Sequence, residues 1–454
     1  MTQEEEAVLL AENKALREEV VLLREELSAA LERIAELERG RKGPPSFVKA
    51  NRPKDAREKK PRRKRAAEQN GSRKRERPTR VVRHALKRCP DCGYKLEGRS
   101  IARRRQVIEL PPPQAVEVSE HQVIKRWCPH CGRWHSPKLD LRGQVLGQGR
   151  IGVRLVGVIA CLRTRLRLPY RHIQEYLRTM HGLEISVGEL VEVLHQMKRE
   201  VAPALSALRK EVRASPILYS DETGWRENGQ NGYVWGLSTG GPNPARYYEY
   251  DRSRARWVVE RLLGKEFTGV LVTDFYAAYN VYPGRHQRCW VHLQRDLHEL
   301  QEEHPHADDV IRWVQGVRAL YDDAQTWLKT NHRPSQAARL TQYVALLTRL
   351  QPLGLAYAQN KDHPCQALAK RLLRHQDELF QFVLVEGLSA DNNLAERSIR
   401  PLVVARKISG GTRSQHGSAT RMALHSLFET WQARGLNVLH SCLQLLTQTP
   451  LPQV

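Results

Sequence analysis

The chain has 454 residues and carries 74 Lys or Arg against 50 Asp or Glu, a formal net charge of +24. That length allows about three domains at roughly 150 residues each, and the basic excess points to a polyanionic partner. No secretory apolar segment opens the sequence and no apolar run is long enough to span a bilayer, which predicts a soluble intracellular protein and excludes a membrane-embedded one.

Residues 1–39 carry heptads. Asn13, Val20, Leu27 and Ile34 occupy a positions, with Leu9, Leu16, Leu23, Ala30 and Leu37 at d. Glu12 with Arg17, Glu19 with Arg24 and Arg33 with Glu38 flank this stripe as g and e pairs. Leu at d with β-branched or Asn residues at a favours a parallel two-stranded coiled coil, so a homodimer is expected. The alternative is a single amphipathic helix docked on the body.

Residues 40–85 read as a basic, flexible linker rich in Pro and Gly. Between Arg41 and Arg88 stand 20 Lys or Arg and 4 Asp or Glu. Arg62, Arg63, Lys64 and Arg65 are its densest run and candidate phosphate contacts.

Residues 86–140 hold Cys89-Pro90-Asp91-Cys92-Gly93 and Cys128-Pro129-His130-Cys131-Gly132. Two matched knuckles suit tetrahedral thiolate coordination, which predicts one structural Zn2+ held by Cys89, Cys92, Cys128 and Cys131 in a small zinc ribbon. His121, His130 and His135 are possible replacement ligands. A redox dithiol rivals a single pair, but not two pairs around a hairpin. Strands are expected at Arg105–Glu109 and Ala115–Lys125, separated by Pro111-Pro112-Pro113.

Residues 150–212 read as helical: Val153–Leu162, Pro169–Met180 with Pro at its first position, and Ser186–Val201, capped by Ser186 after Gly182 closes the helix before it. Helix, short turn and capped helix match a helix-turn-helix, which makes Arg171 a candidate DNA contact. An ordinary helical connector fits as well.

From Ile217 the periodicity changes to strands at Ile217–Trp225, Gly232–Ser238 and Ala245–Tyr250. A helix follows at Arg254–Leu263, then a strand at Gly269–Asp274 and a short strand running into a helix at Gln287–Leu293. The order β-β-β-α-β-α is that of a ribonuclease H-like α/β core. That core is assigned to 215–298 and 386–415, interrupted by an all-helical insertion over 299–385 and followed by C-terminal helices in 416–454. The fold class expected is therefore multidomain α+β.

Asp221 and Asp274 each follow an aliphatic run, on strands that this order makes neighbours. Alternation along the strand sends Asp221 and Glu222 to opposite faces, so only one joins a shared site. Glu396 lies three residues after Asn393 and four before Arg400, on one helical face. Three such carboxylates can gather two Mg2+ (or Mn2+) ions about 4 Å apart for displacement at phosphorus, with Arg400 contacting a phosphate oxygen.

Four stretches carry a resemblance: Ser220-Asp221-Glu222-Thr223, Thr273-Asp274-Phe275-Tyr276-Ala277-Ala278-Tyr279, Cys289-Trp290-Val291-His292-Leu293, and Asp391-Asn392-Asn393-Leu394-Ala395-Glu396-Arg397-Ser398-Ile399-Arg400-Pro401. They resemble the DDE transposases of bacterial insertion sequences, specifically insertion sequence family sixty-six, over nearly the whole chain. The resemblance implies that Asp221, Asp274 and Glu396 are the catalytic, magnesium-holding triad. It implies that the protein binds the terminal inverted repeats of its element, cleaves the ends and joins the 3′-hydroxyls to target DNA, in a bacterial, nucleoid-associated cytoplasmic setting with accessory proteins as further partners. Arg397, Arg400, Arg406, Lys407 and Arg413 are the corresponding candidate DNA contacts.

This chain departs from many members at Arg406-Lys407-Ile408-Ser409-Gly410-Gly411-Thr412-Arg413-Ser414, where an aromatic-rich run is usual, which suggests a different subgroup. The Gly410-Gly411 loop is either a phosphate cradle or an ordinary tight turn. Cys289 and His292 read as packing or support for the site, since their spacing offers only two metal ligands. Two alternatives stand beside a transposase: a catalytically dead dimeric DNA-binding regulator, and a metal-dependent nuclease without strand transfer.

Overall fold

The computed structural model describes Leu27, residues 76–101 and residues 103–447. The heptad reading of 1–39 and the basic run Arg62–Arg65 therefore lie outside the described residues, Leu27 apart. Contacts divide the chain into two units, Met1–Leu110 and Pro111–Val454.

In the first unit, the Cys89–Gly93 segment is a closed turn. The Gly93 amide donates to the Cys89 carbonyl at 2.9 Å and the Cys89 amide to the Tyr94 carbonyl at 2.8 Å. Gly93 has φ +73°, a left-handed conformation that glycine adopts without steric cost.

The second unit begins with a hairpin of β1 (Arg126–Cys128) and β2 (Arg133–His135), whose turn is the second knuckle. Gly132 takes φ +59° there. The strands expected at Arg105–Glu109 and Ala115–Lys125 are absent. Those segments are mostly exposed and have no partner strand to satisfy their backbone groups, so alternation alone did not make a ladder.

Four helices follow: α1 (Val153–Thr164), α2 (Tyr170–His181), α3 (Val187–Glu200) and α4 (Ala202–Arg213). Gly182 closes α2 at φ +63°, and Ser186 Oγ accepts from the Glu189 amide at 3.0 Å to cap α3. Pro169 stands at the N-cap of α2, one place before the position expected.

The sheet comprises β3 (Ile217–Glu227), β4 (Gln230–Ser238), β5 (Arg246–Asp251), β6 (Val270–Thr273) and β7 (His286–Arg288), in the order β5-β4-β3-β6-β7. β3, β4 and β5 form an antiparallel meander, while β6 pairs parallel to β3 and β7 parallel to β6. Helix α5 (Arg256–Leu263) connects β5 to β6.

Side-chain alternation divides this sheet between two cores. Leu218 and Leu271 join the core built with α1–α5 and with the C-terminal helices α13 (Gln415–Ala433) and α14 (Val438–Thr447). Tyr219, Val270 and Val272 face the other way, into a second core. The helices that follow β7 build it: α6 (Trp290–Glu303), α7 (Asp308–Thr330), α8 (Gln336–Ala358), α9 (Gln366–Arg374), α10 (Gln376–Leu379) and α11 (Gln381–Leu384). Helix α12 (Asn393–Ser409) then returns to pack on β3 and β4. Among the described residues, no helix is long and apolar enough to cross a membrane.

Candidate functional site

The β3–β6 register pairs Tyr219 with Val272. Asp221 and Asp274 each lie two residues beyond that pair, so neighbouring parallel strands deliver two carboxylates to one edge. Local hydrogen bonds set them: Asp221 Oδ1 accepts from the Glu222 amide and Asp274 Oδ1 from the Tyr276 amide, both at 2.9 Å.

Glu396 enters from the first turn of α12. The N-terminus of that helix is held by Asn392, whose Nδ2 donates to the Ser220 carbonyl at 2.8 Å and whose amide donates to Cys289 Sγ at 3.2 Å. The Cys289 amide in turn donates to the Thr273 carbonyl at 2.9 Å. Residues adjacent to Asp221 and Asp274 are thus fastened to the residues that precede Glu396.

Burial, then the charges of Glu222 and Asp274, and also that of Glu396, push the Asp221 carboxyl well above the usual carboxylate range. Carboxylates in mutual repulsion at a part-buried edge create a demand for positive charge. One oxygen of Glu396, Oε1, is buried without a hydrogen-bond partner. The carboxylate oxygens of Asp221, Asp274 and Glu396 are hard donors, which suit a divalent cation such as Mg2+.

Glu222 follows Asp221 on β3 and turns to the opposite side of the pleat, yet the charges of Asp221's neighbourhood reach it: Glu222 raises Asp221, and Asp274 raises Glu222. The Glu222 side chain is only 2% exposed and accepts from Tyr279 Oη at 2.6 Å and from Arg254 Nη2 at 2.5 Å. The Arg254 guanidinium lies 3.8 Å from the Tyr276 ring centroid. Burial and the Asp274 charge raise the Glu222 carboxyl above its ordinary range.

Sequence reasoning missed two positioning residues. Asn392 is one polar residue among several at the start of the stretch that carries Glu396, with nothing in the sequence to mark it as buried, yet it is 1% exposed. Arg288, on β7, is fully buried. It donates to the Asp274 carbonyl at 2.9 Å, to Glu378 at 2.5 Å and to Asn280 at 2.5 Å, which fixes the loop after β6.

Among the candidate DNA contacts, Arg171, Arg397, Arg400, Lys407 and Arg413 are exposed. Arg406 instead donates to the Gly224 carbonyl, tying α12 to β3. The Gly410-Gly411 loop is a tight turn on the end of β3. The Thr412 amide donates to the Arg226 carbonyl at 2.9 Å, and a Cβ on Gly411 would lie 2.1 Å from that same oxygen.

In the second unit's knuckle, one ligand atom from each of Cys128, Cys131 and His135 lies within 4.8 Å of the others. The Cys131 amide donates to Cys128 Sγ at 3.4 Å and holds that thiol below its ordinary range. The first unit's knuckle behaves alike: hydrogen bonds from the backbones of Cys92 and Asp91 lower the Cys89 thiol.

These features define a carboxylate-centred α/β protein with a cysteine-knuckle module. Residues 148–420 match the family described as "Transposase IS66 family", and residues 87–132 match the "zinc-finger binding domain of transposase IS66". The chain belongs to the IS66 family of transposases and carries that family's zinc-finger domain. It is similar to uncharacterized protein y4qI of Sinorhizobium fredii (strain NBRC 101917 / NGR234), at 26% identity over 322 residues, covering 65% of this chain and 59% of the relative. Uncharacterized protein y4jO of the same organism is 29% identical over 171 residues, covering 38% of this chain and 50% of the relative. The chain spans between half and three-fifths of these curated relatives.

Proposed function

We propose that this protein cleaves the ends of its insertion sequence and joins the freed 3′-hydroxyls to target DNA, with Asp221, Asp274 and Glu396 holding the divalent cations that this chemistry requires. The observation that carries the reading is the placement of Asp221 and Asp274 each two residues beyond the Tyr219–Val272 pair of parallel β3 and β6, with the Asp221 carboxyl displaced upward by burial and by the charges of Glu222, Asp274 and Glu396. The strand order supports a ribonuclease H-like core split by a helical insertion.

Bound Mg2+ (or Mn2+) would supply Lewis acidity at the scissile phosphate and activate the attacking oxygen. The chain's own residues do the rest. The β3–β6 pairing fixes the spacing of two ligands, Asn392 and Arg288 hold the segments beside them, and Arg397 and Arg400 lie exposed on α12 to meet phosphate oxygens. The carboxylates act as ligands and not as nucleophiles, so no covalent protein–DNA intermediate forms.

In this reading Cys89, Cys92, Cys128 and Cys131 hold one structural Zn2+ in a DNA-binding module, the heptads of 1–39 pair two chains, and the basic linker tracks the backbone. The protein would act in the bacterial cytoplasm, on the nucleoid. The test is incubation of the purified protein with labelled element-end DNA, a plasmid target and Mg2+. Joined products support a transposase, cleavage without joining indicates a nuclease, and binding alone indicates a regulator.

A further inference from the structure

We propose that Cys289, His292 and Glu396 form a second transition-metal site, suited to Zn2+, which shares Glu396 with the magnesium-holding cluster. Its regulatory consequence rests on the catalytic reading given above. One sulfur, one imidazole nitrogen and one carboxylate oxygen from these residues all lie within 4.8 Å of one another. His292 Nε2 stands 3.8 Å from Glu396 Oε1, too far for a hydrogen bond. Both the second ring nitrogen, Nδ1, and Glu396 Oε1 are buried without a hydrogen-bond partner.

The scaffold around these atoms is fixed. Cys289 is the N-cap residue of α6, but its side chain makes no capping bond, and His292 follows in the first turn of that helix. The Asn392 amide donates to Cys289 Sγ at 3.2 Å, an outer contact of the kind that orients a thiolate ligand. Helix α12 then brings Glu396 across from the far side of the insertion.

The donor set discriminates between metals. Sulfur and imidazole favour Zn2+, whereas Mg2+ takes oxygen ligands in near-octahedral geometry. Three protein ligands with the fourth position open is the arrangement of a non-structural zinc site. Binding forms Zn–S, Zn–N and Zn–O bonds and releases the Cys289 thiol proton to solvent, with no change of oxidation state. Since Glu396 supplies the oxygen, zinc bound here withdraws a ligand from the magnesium cluster, so Zn2+ inhibits.

The test uses the full-length protein, dialysed to equilibrium against buffered Zn2+, with zinc per chain compared among wild type, Cys289→Ser and His292→Gln. Zinc in the knuckles is common to all three and cancels in the comparison. Each variant should bind about one Zn2+ fewer per chain, or bind it more than about tenfold more weakly. Circular dichroism checks that each is folded, and Cys289→Ala replaces any serine variant that is not.

In a second arm, end cleavage in Mg2+ is followed with rising Zn2+, each protein normalised to its own zinc-free rate. The variants should need more than about tenfold more Zn2+ for half-inhibition. Equal zinc content in wild type and both variants overturns the site. A difference in content with identical zinc sensitivity overturns the sharing of Glu396. The zinc count does not depend on cleavage, so an absence of cleavage in every protein would defeat the catalytic reading while leaving the count to decide the site.

Discussion

Asn392 Nδ2 donates to the Ser220 carbonyl at 2.8 Å, which fastens the start of helix α12 to the strand that carries Asp221. The bond is fully buried, and it joins two segments more than 170 residues apart. Replacing Asn392 with Ala removes it and frees Glu396 to drift from Asp221. A buried acceptor left unsatisfied costs about 1–3 kcal/mol, so the melting temperature should fall. Cleavage should drop by about 10- to 100-fold, as for outer residues that orient metal ligands, with end binding retained in a gel-shift assay. A variant that cleaves at the wild-type rate would show that packing alone positions α12.

Asp221→Ala, Asp274→Ala and Glu396→Ala should each lower cleavage and joining by at least about a thousandfold, since residues acting as one unit fail together. Binding to element ends should persist. Cleavage by Glu396→Ala would transfer the third ligand to Glu386 or Asp391.

The upward shift of Asp221 has a sign that can be checked. Its carboxyl titrates higher in the folded protein than the ordinary 3.8, so between those two values the folded state holds a proton that the unfolded state has lost. Metal-free stability therefore falls as pH rises through that window. Asp221→Asn should raise the melting temperature of the metal-free protein at neutral pH while abolishing cleavage. Mg2+ should stabilise wild type more than this variant. Thermal denaturation at pH 4, 6 and 8 with and without Mg2+ measures both effects, and a destabilised Asp221→Asn protein would refute the account.

For the zinc-finger domain, metal analysis of Cys89→Ser, Cys128→Ser and His135→Ala separates two ligand sets. Four thiolates predict zinc loss in both Ser variants and retention in His135→Ala. Loss in His135→Ala with retention in Cys89→Ser would instead place the ion on Cys128, Cys131 and His135, whose ligand atoms cluster within 4.8 Å. Loss of zinc should weaken end-specific binding more than salt-sensitive binding, because the basic linker still meets phosphates.

The parts legible in the sequence were those written in local chemistry. β3 and β6 both open on aliphatic runs, with Asp221 inside β3 and Asp274 just past the end of β6, and Gly182 and Ser186 punctuate α2 and α3. What stayed hidden depends on distant partners. Helix α4 follows α3 directly, with Pro203 in its first turn, so no loop signal separates the two. The strands expected at Arg105–Glu109 and Ala115–Lys125 had the pattern but no neighbour. Cys289 and His292 offer two ligands along the chain, and the third, Glu396, arrives only through the fold.

The helical stretch after β7 leaves the sheet and returns to it at almost one point. The Trp290 amide donates to the Ala390 carbonyl at 2.9 Å, and the indole of Trp290 donates to the Leu379 carbonyl at 2.5 Å. The residues between Trp290 and Ala390, most of them helical, are thus a detour with coincident ends. Lengthening such a detour costs little in closure entropy, about 0.6 kcal/mol per doubling, and leaves its entrance and exit where they were. Its underside is another matter, because Trp290, Leu293 and Leu297 pack in one cluster with Tyr219, Val270 and Val272. The connections between the outer helices can therefore change in length at small cost, but excising the whole detour would expose one face of the sheet that positions both aspartates.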